Sequence, residues 1–504
     1  MKIRILKILI LLCVSSSAIG QTVVDFRLGK RTTQDGDIDR SGLIGNGVTD
    51  LRWNEQIGTL LVGTGFGLGT STDNGSTWIN YTSDDYGGQG PGGTSGMDVG
   101  PDGTIWIAVG YDTLVEEGQS LQIGGGLRYL EPGSSEWVNI PQPVDSQNDT
   151  VGGMQPTTTR VQNISFDVLL VDTNEVWIAS WGGGVRRSTD RGENWDIITT
   201  DGLPFAALPN LNHIGFSLLK ENGNIWVGTA GGMSRSSDGG QTWRRFTSKN
   251  QSQAISGNWV IGMWHNAWND QIWATTLSTD TSEFTAISRT ANGGETWDIQ
   301  LREELSDGTF PRSVAFYDSA VYVATEKGVF KTIDDGQTWF LIPAVRDNLT
   351  GEGLFTSSFF SVATSPAAEL NHRLWAGSAD GLGMTANNGF DWTVFRSFIS
   401  TRDRTDPAVY AYPNPFSPLH SDRPCRFQFD LTDGGTVNID IYNYAMERVT
   451  TISENQNAPV EGSFDRSMTW DGKDSNGRLV DNGVYFFRAK VGSDVSWGKI
   501  VVIN

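Results

Sequence analysis

An eight-residue motif recurs along this chain and constrains its fold more than any other feature of the sequence. Each clean copy has a hydroxyl residue first, Asp or Asn third, Gly fifth and Trp last. Six clean copies begin at Ser71, Ser188, Ser236, Thr290, Thr332 and Thr385, and a degenerate copy runs from Leu130 to Trp137. The seven tryptophans are 42 to 59 residues apart. A repeat of this length is typical of an array of one small supersecondary unit, here expected seven times.

Each copy of the motif has a physical explanation as a tight turn between two strands. An Asp or Asn followed two positions later by Gly favours a hairpin, because Gly accepts positive φ and the side-chain oxygen bonds nearby backbone amides. The closing Trp opens the next strand, and we expect it to fill the space between neighbouring sheets. The predicted structural residues of the motif are Asp73, Trp78, Asp190, Trp195, Asp238, Trp243, Asn292, Trp297, Asp334, Trp339, Asn387 and Trp392.

The segments before each motif complete a unit of four strands. Asn224 to Gly232 precedes one copy, and an inner strand such as Ile214 to Leu219 precedes that segment. Four strands per unit and seven units predict an all-β fold, a seven-bladed β-propeller over residues 45–400. The motif resembles the Asp-box (BNR) repeat, as found in sortilin-type receptors, a photosystem assembly factor and xyloglucan hydrolases. This resemblance implies that the repeated hairpins are structural and lie away from the ligand face.

The beginning of the chain has the pattern of a secretory signal peptide over residues 1–20. Lys2, Arg4 and Lys7 precede a short apolar stretch, and Ala18-Ile19-Gly20 is a small-x-small site. The apolar stretch is shorter than the roughly 20 residues that span a bilayer, and no other long apolar run follows. We therefore expect an exported protein with no transmembrane segment. Residues 21–44 form an N-terminal segment that the sequence does not assign.

The composition of the chain narrows its partners and cofactors. A formal net charge of -21 argues against nucleic acid as a partner, because that binding depends on Lys and Arg. The two cysteines, Cys13 and Cys425, exclude an internal disulfide in the processed chain and a cysteine metal site. The four histidines lie in separate elements, so no metal site is predicted. Acidic loops such as Asp471 to Asp474 could bind calcium, but Asp-Gly turns explain them equally well and no cofactor is predicted.

The last hundred residues form a separate unit with its own motifs. A polar linker, residues 401–411, leads to Tyr412-Pro413-Asn414-Pro415-Phe416, then to alternating strands, to Trp470-Asp471-Gly472 and to Gly483-Val484-Tyr485-Phe486. Alternation with Gly and Asp turns predicts a small antiparallel β-sandwich. Residues 412–504 resemble the Ig-like fold of the flagellar hook-capping protein and the type A C-terminal sorting domain of type IX secretion. The resemblance implies the type IX secretion machinery as a partner and a secreted or outer-membrane surface location in a Gram-negative bacterium. The alternative is a passive Ig-like spacer.

One face of the predicted propeller carries nearly all the long insertions, which is typical of a binding surface. Counting back from each motif places five side chains at the rim of the central funnel on that face. These predicted ligand contacts are Phe66, Tyr111, Trp181, Glu326 and Asp380. Aromatic rings with a few carboxylates suit a sugar or peptide ligand. The alternative is that they are ordinary loop-corner residues, and the cluster of Trp259, Trp264, His265 and Trp268 is predicted to be core.

The function predicted from these features is a binding propeller for an extracellular glycan or protein. Sialidase-like enzymes share Asp boxes, but this chain lacks their Phe-Arg-Ile-Pro signature, and the two-propeller xyloglucan hydrolases use a cleft that one propeller does not form. The alternative is a glycoside hydrolase acting on an extracellular polysaccharide, for example through Glu116 or Glu117 with Glu326 or Asp380. No catalytic residue is assigned from the sequence, and an enzymatic role stays open.

Overall fold

The computed structural model describes residues 41–82, 92–114, 120–207, 209–342, 344–348, 352–367, 371–398, 409–419, 424–431, 434–457 and 465–503. The predicted signal peptide, residues 21–40, most of the predicted linker, and Glu116 and Glu117 lie outside these ranges. Within them the protein is almost entirely β-structure, with two short 3-10 helices at Val151–Gly153 and Leu211–His213.

Seven four-stranded antiparallel sheets follow one another along the described chain, each made of four consecutive strands. A two-residue strand, β1 (Ser41–Gly42), precedes them. Sheet one holds β2 (Val48–Asn54), β3 (Thr59–Thr64), β4 (Gly67–Ser71) and β5 (Ile79–Thr82); sheet two holds β6 (Gly93–Val99), β7 (Ile105–Leu114), β8 (Ser120–Leu130) and β9 (Trp137–Ile140); sheet three holds β10 (Ser165–Leu170), β11 (Val176–Ser180), β12 (Gly184–Ser188) and β13 (Asp196–Ile198).

The remaining four sheets repeat this order. Sheet four holds β14 (Gly215–Glu221), β15 (Asn224–Thr229), β16 (Gly232–Ser236) and β17 (Arg244–Phe246); sheet five holds β18 (Trp259–Asn266), β19 (Gln271–Leu277), β20 (Ala286–Thr290) and β21 (Asp298–Gln300); sheet six holds β22 (Pro311–Tyr317), β23 (Ala320–Thr325), β24 (Gly328–Thr332) and β25 (Phe340–Ile342); sheet seven holds β26 (Phe359–Ala367), β27 (Asn371–Ser378), β28 (Gly381–Thr385) and β29 (Thr393–Phe395).

The first strand of each sheet is the innermost strand of a closed ring. Each inner strand contacts the inner strands of the sheets before and after it, and β2 contacts β26. The ring is closed by pairing between the two ends of this region, because β1 pairs with β30 (Ser397–Phe398). Asn46 strengthens the closure: its Oδ1 accepts from the Ser397 amide at 2.7 Å and its Nδ2 donates to the Ser397 carbonyl at 3.3 Å.

The repeated motif forms the turn between the third and fourth strands of a sheet. In the fourth sheet the Ser236 Oγ donates to the Asp238 carboxylate, and that carboxylate accepts from the Thr242 amide at 2.9 Å and from its hydroxyl at 2.6 Å. The fourth and fifth positions both have positive φ, 71° at Gly239 and 89° at Gly240. In the other five clean copies the amide of the seventh residue likewise donates to the side-chain oxygen of the Asp or Asn, and the fourth and fifth positions both have positive φ. In the two copies with Asn, the side-chain nitrogens of Asn292 and Asn387 donate to the seventh side chain.

Several motif tryptophans pack against a ring of the preceding sheet. Trp243 meets Trp177 of sheet three edge to face at 6.2 Å, and Trp339 meets Trp273 of sheet five in the same way at 6.3 Å. Around the closure, Trp78 of sheet one meets Phe395 of sheet seven at 5.8 Å. Each such contact joins two neighbouring sheets through aromatic packing and so stabilises the ring.

Two further sheets form the C-terminal part of the chain and share one core. One has the order β31 (Val409–Tyr412), β32 (Cys425–Asp430), β35 (Asp465–Trp470); the other has the order β34 (Arg448–Gln456), β33 (Gly435–Tyr442), β36 (Gly483–Val491), β37 (Asp494–Val502). β31 begins at Val409, inside the predicted linker.

The conspicuous motifs of the C-terminal part meet one another in its core. The Asn414 carboxamide accepts from the Val501 amide and donates to the Lys499 carbonyl, both at 2.8 Å. Phe416 packs beside Trp470 at 5.7 Å between ring centroids. The Tyr-Pro-Asn-Pro-Phe segment, the Trp-Asp-Gly segment and the last strand are therefore joined structurally, although they are far apart in the sequence.

Candidate functional site

Every inner strand has a β-bulge near its start, and the bulged residues form one ring. The pairing with the second strand skips one residue in each of the seven sheets, at the same place in the repeat. We call these residues the bulge ring: Thr49, Ser95, Phe166, Phe216, Ile261, Arg312 and Phe360. The bulges lie beside the turns between second and third strands and the links between sheets, which together we call the connection face. The motif turns lie on the opposite face, the motif face.

The bulge ring has three polar and four apolar members, and three of the apolar ones, Phe166, Phe216 and Ile261, follow one another around it. Thr49 and Ser95 use their hydroxyls to bond carbonyls of the next sheet, Thr94 O at 2.7 Å and Ser165 O at 2.7 Å. Phe166, Ile261 and Phe360 are only partly buried. Apolar groups that remain partly exposed at the mouth of a channel are the type of surface that ligands cover.

Trp181, one of the predicted ligand contacts, lies in the turn between β11 and β12 and joins the apolar members of the ring. Its indole lies 5.6 Å from the Phe216 ring and 6.2 Å from the buried Trp259 ring. Phe166 and Phe310 pack against the same cluster. The structure therefore unites one predicted contact with bulge residues of two sheets, and Trp181 itself is half-buried.

Glu326, a second predicted contact, lies in the turn between β23 and β24. Its carboxylate accepts from the Arg312 guanidinium at 2.6 Å, and the Arg312 guanidinium lies over the Phe360 ring at 5.0 Å. Glu326 therefore holds the one cationic member of the bulge ring in place.

Asp380, a third predicted contact, is placed where the sequence did not foresee it, against the C-terminal sheets. Its carboxylate accepts from Arg426 of β32 at 2.6 Å and from Arg396 at 3.2 Å. The two guanidinium groups lower the pKa of the Asp380 carboxyl, although its burial acts in the opposite direction and is the larger single influence. The Arg426 guanidinium also lies 4.6 Å from the Phe355 ring centroid. The Asp380 carboxylate is thus already paired within the chain.

The last two predicted contacts lie in sheets one and two. Phe66 is half-buried in the turn between β3 and β4, with its ring beside Gly45. Tyr111 is not at a turn, because β7 continues through it and pairs it with Ile123 of β8. Of these predicted residues, Trp181 and Glu326 contact members of the bulge ring.

A cluster of carboxylates lies deeper along the inner strands. Asp98 pairs with Arg52 and accepts from the Leu170 amide at 2.8 Å, while Asp167 accepts from the Leu218 amide at 2.8 Å. Burial raises the pKa of Asp50, Asp98 and Asp167, and it raises the pKa of Asp167 to about 7 despite the opposing charge of Arg52. Asp167 is thus a carboxyl group that titrates near neutral pH beside other carboxylates.

The motif carboxylates behave differently from this inner cluster. Hydrogen bonds from Thr242 and Ser236 lower the pKa of Asp238 to about 2, and equivalent bonds lower the pKa of Asp190 and Asp334 to about 2. These carboxylates accept hydrogen bonds within their own turns.

One histidine lies beside two carboxylates on the motif face. His265 Nε2 is 2.8 Å from Asp270 Oδ1, and Glu221 is close enough that one ligand atom from each of the three residues lies within 4.8 Å of the others. The side-chain Nδ2 of Asn222 donates to the same Asp270 oxygen at 2.9 Å. The histidines lie in separate elements of the sequence, and this group was not predicted. Glu221 and His265 come together because they belong to neighbouring sheets.

The tryptophans of the fifth inner strand divide between core and surface. Trp259 is buried and Trp264 packs beside the core between sheets five and six. Trp268 lies in the turn after β18 and is 59% exposed. The predicted core role fits the first two residues and not Trp268.

Several solved structures are similar to this chain. The GH74 enzyme of Niastella koreensis has 12% identity and a TM-score of 0.50, with 93% of this chain and 74% of that chain covered. An ancestral GH74 enzyme has 13% identity and a TM-score of 0.51, with 92% and 63% covered. YCF48 from Cyanidioschyzon merolae has 15% identity and a TM-score of 0.43, with 71% and 98% covered.

The chain is a β-propeller. At these identities the likeness concerns the fold alone. No protein-family model and no curated protein sequence matches the chain. Within the described ranges, the propeller and the C-terminal sheets contain no helix with the length and hydropathy that crossing a bilayer requires.

The bulge ring is the feature that the sequence analysis missed. A regular strand buries every second residue, whereas each inner strand here has buried residues three apart across the bulge, such as Val48 and Leu51 or Val260 and Met263. The same interval of three recurs in all seven sheets. The first of the two positions holds residues as different as Val48, Thr94 and Pro311, so the interval is visible in the burial and not in the sequence.

Proposed function

We propose that this chain is an exported propeller that binds a glycan or protein ligand over the bulge ring on the connection face. The observation that supports this most is the uneven composition of the ring. Phe166, Ile261 and Phe360 leave apolar surface partly exposed, and Arg312 supplies a positioned cation beside them. Apolar rings cover the apolar faces of sugars or peptide side chains, and a few fixed polar groups then set orientation.

The state of the predicted carboxylates favours binding over hydrolysis on this face. Glycoside hydrolysis uses two carboxyl groups that are free to exchange protons or attack, about 5 to 10 Å apart. Glu326 and Asp380 are instead bound to arginines at 2.6 Å. Both carboxylates serve as anchors for guanidinium groups, so we do not propose them as catalytic residues.

A screen of polysaccharides and peptides with the full chain tests this proposal. Binding is measured together with released reducing ends, and the variant Phe360→Ala is compared with Phe390→Ala. Phe390 is 82% exposed in the motif turn of the same sheet, so its loss removes an equal ring from the other face. We expect ligand binding without release, weakened in Phe360→Ala only; equal weakening in both variants would contradict the proposal.

A glycoside hydrolase is the second candidate, and Asp167 is the observation that favours it. A carboxyl group with a pKa of about 7 remains partly protonated at neutral pH, as a general acid requires, and Asp50 and Asp98 are nearby carboxylates. If the full chain releases reducing ends and the variant Asp167→Asn does not, the result would support this candidate over a propeller that only binds. Release that persists in Asp167→Asn would exclude Asp167 as the acid.

We propose further that residues 1–20 direct export and that residues 412–504 form an Ig-like sorting domain read by the type IX secretion machinery. The joining of Asn414, Phe416 and Trp470 with the last strand supports a unit built around these motifs. In a bacterium with that machinery, a stop codon after residue 408 should leave the propeller in the periplasm, because residues 1–20 still carry it across the inner membrane. Arrival of the truncated chain at the cell surface or in the medium would favour the passive spacer.

A further inference from the structure

The four-stranded C-terminal sheet has an outer face with an unusual composition. Along β33 and β36, alternate residues such as Ile439, Ile441 and Phe487 are fully buried in the core. The residues between them lie on the other side of the sheet. We call that side the basic face, and its charged and aromatic members are Asp440, Tyr442, Arg448, Phe486, Arg488, Lys490, Trp497 and Lys499.

Three aromatic residues lie together on the basic face. Tyr442 is the direct neighbour of Phe486 in the pairing of β33 with β36. Tyr442 and Trp497 have ring centroids 5.6 Å apart and planes inclined by 32°. Trp497 is 48% exposed. Large rings that stay open to solvent on a sheet form a shallow platform on which a flat, partly apolar ligand can lie.

Cationic side chains surround this platform. Arg448 pairs across from Tyr442, Arg488 pairs across from Trp497, and Lys499 pairs across from Phe486. Lys490 lies one step further along β36. The single carboxylate of the face, Asp440, is 3.6 Å from Arg488 and 4.0 Å from Arg448. With four cations and one anion, this face has a positive charge, whereas the whole chain has a formal net charge of -21.

The basic face lies on the side of the C-terminal part that is turned away from the propeller. The opposite sheet makes the contacts with the propeller, through Arg426 to Asp380 and through Ser467 to Glu352 at 2.8 Å. The basic face is therefore not the surface that joins the two parts. Its cationic rim is accessible, with 65% of Arg448 and 36% of Arg488 exposed, while Tyr442 and Phe486 are partly buried.

We propose that the basic face binds an acidic polysaccharide, one that carries carboxylate or sulfate groups. Pyranose rings have apolar faces that stack on Tyr442, Phe486 and Trp497, while their anionic groups pair with the guanidinium and ammonium groups around the platform. A cationic surface on an otherwise acidic protein selects anionic ligands by long-range attraction. The site is separate from the bulge ring, so it does not depend on the function proposed for the propeller.

Binding of polygalacturonate to the full chain, with neutral dextran of matched length as the reference, tests the proposal. The variants are Trp497→Ala and Arg488→Gln, with Trp268→Ala and Arg244→Gln as matched controls. Trp268 is 59% and Arg244 43% exposed on the propeller, so both controls remove a surface group of the same kind. Thermal unfolding of each variant checks that the fold is intact.

We expect polygalacturonate to bind and dextran not to bind. Trp497→Ala and Arg488→Gln should each weaken binding by about tenfold, and both controls should leave it unchanged. Raising the salt from about 50 to about 300 mM should weaken binding strongly, because exposed charges are screened.

Several results would overturn the proposal. These are no binding of polygalacturonate by the unaltered chain, equal binding of dextran, or equal loss in the control variants. Binding of anionic lipid vesicles as tight as that of polygalacturonate would also overturn it, because the face would then recognise charge without the sugar. Loss of polysaccharide binding in Phe360→Ala, with Trp497→Ala unaffected, would assign the ligand to the bulge ring instead.

Discussion

The pKa of an aspartate in this protein depends on where the fold places its carboxyl group. The motif aspartates and the inner aspartates are the same residue type, yet their pKa values move in opposite directions. Hydrogen-bond donors surround the exposed carboxylate of Asp238, whereas burial dominates at Asp167. The sequence identifies the first kind, because the donors belong to the same eight residues. It does not identify the second, because the groups around Asp167 come from other sheets.

The raised pKa of Asp167 predicts a pH dependence of stability. The unfolded carboxyl ionises near pH 4 and the folded one near pH 7, so the folded state loses stability as the pH rises between these values. In Asp167→Asn this loss is absent, and the carboxamide oxygen can still accept from the Leu218 amide. Relative to Asp167→Asn, we expect the free energy of unfolding of the unaltered chain to fall by about 1–3 kcal/mol from pH 5 to pH 8.

Chemical denaturation at several pH values measures this difference. Asp172→Asn is the control, because backbone amides lower the pKa of Asp172 and its contribution is already complete at pH 5. A difference between the unaltered chain and Asp167→Asn that stays constant over this range would contradict the account.

Among the structural elements, the motif turns follow from the repeated sequence pattern, whereas the β-bulges do not. The motif predicts the turns and the tryptophan contacts, because both depend on residues within one unit and its neighbour. The β-bulges require the register of strand pairing, which one unit alone does not reveal. The sequence also did not predict the pairing of Asp380 with Arg426. This pair joins a turn of the propeller to a strand of the C-terminal sheets, 46 residues later in the chain.

The motif turn also predicts a contrast between adjacent glycines in sheet four. Gly239 and Gly240 both have positive φ, but a Cβ at Gly240 would lie 2.8 Å from the Trp177 ring, whereas a Cβ at Gly239 would meet nothing within 4 Å. Gly239→Ala carries backbone strain alone, of about 1 kcal/mol. Gly240→Ala adds a clash with the preceding sheet and should cost about 1–3 kcal/mol more. Equal losses in thermal or chemical unfolding would contradict the packing described here.

At the scale of the whole molecule, the ring depends on pairing between its two ends. β1 joins β30, and Asn46 makes two hydrogen bonds to the backbone of Ser397. We expect Asn46→Ala to destabilise the propeller by about 1–3 kcal/mol, because part of the closure loses its partners. Asn476→Ala, in an exposed turn of the C-terminal part, is the control. Unfolding midpoints of the two variants that match each other would show that the closure adds no stability.

Ligand binding over the bulge ring would involve several sheets at once and is therefore a property of the whole molecule. Hydrogen exchange of the full chain, with and without a ligand found in the binding screen, reports which face the ligand covers. We expect protection of the segments around Phe166, Ile261 and Phe360 on the connection face, with exchange at the motif turns unchanged. Protection confined to the motif turns, with the bulge segments unaffected, would contradict it.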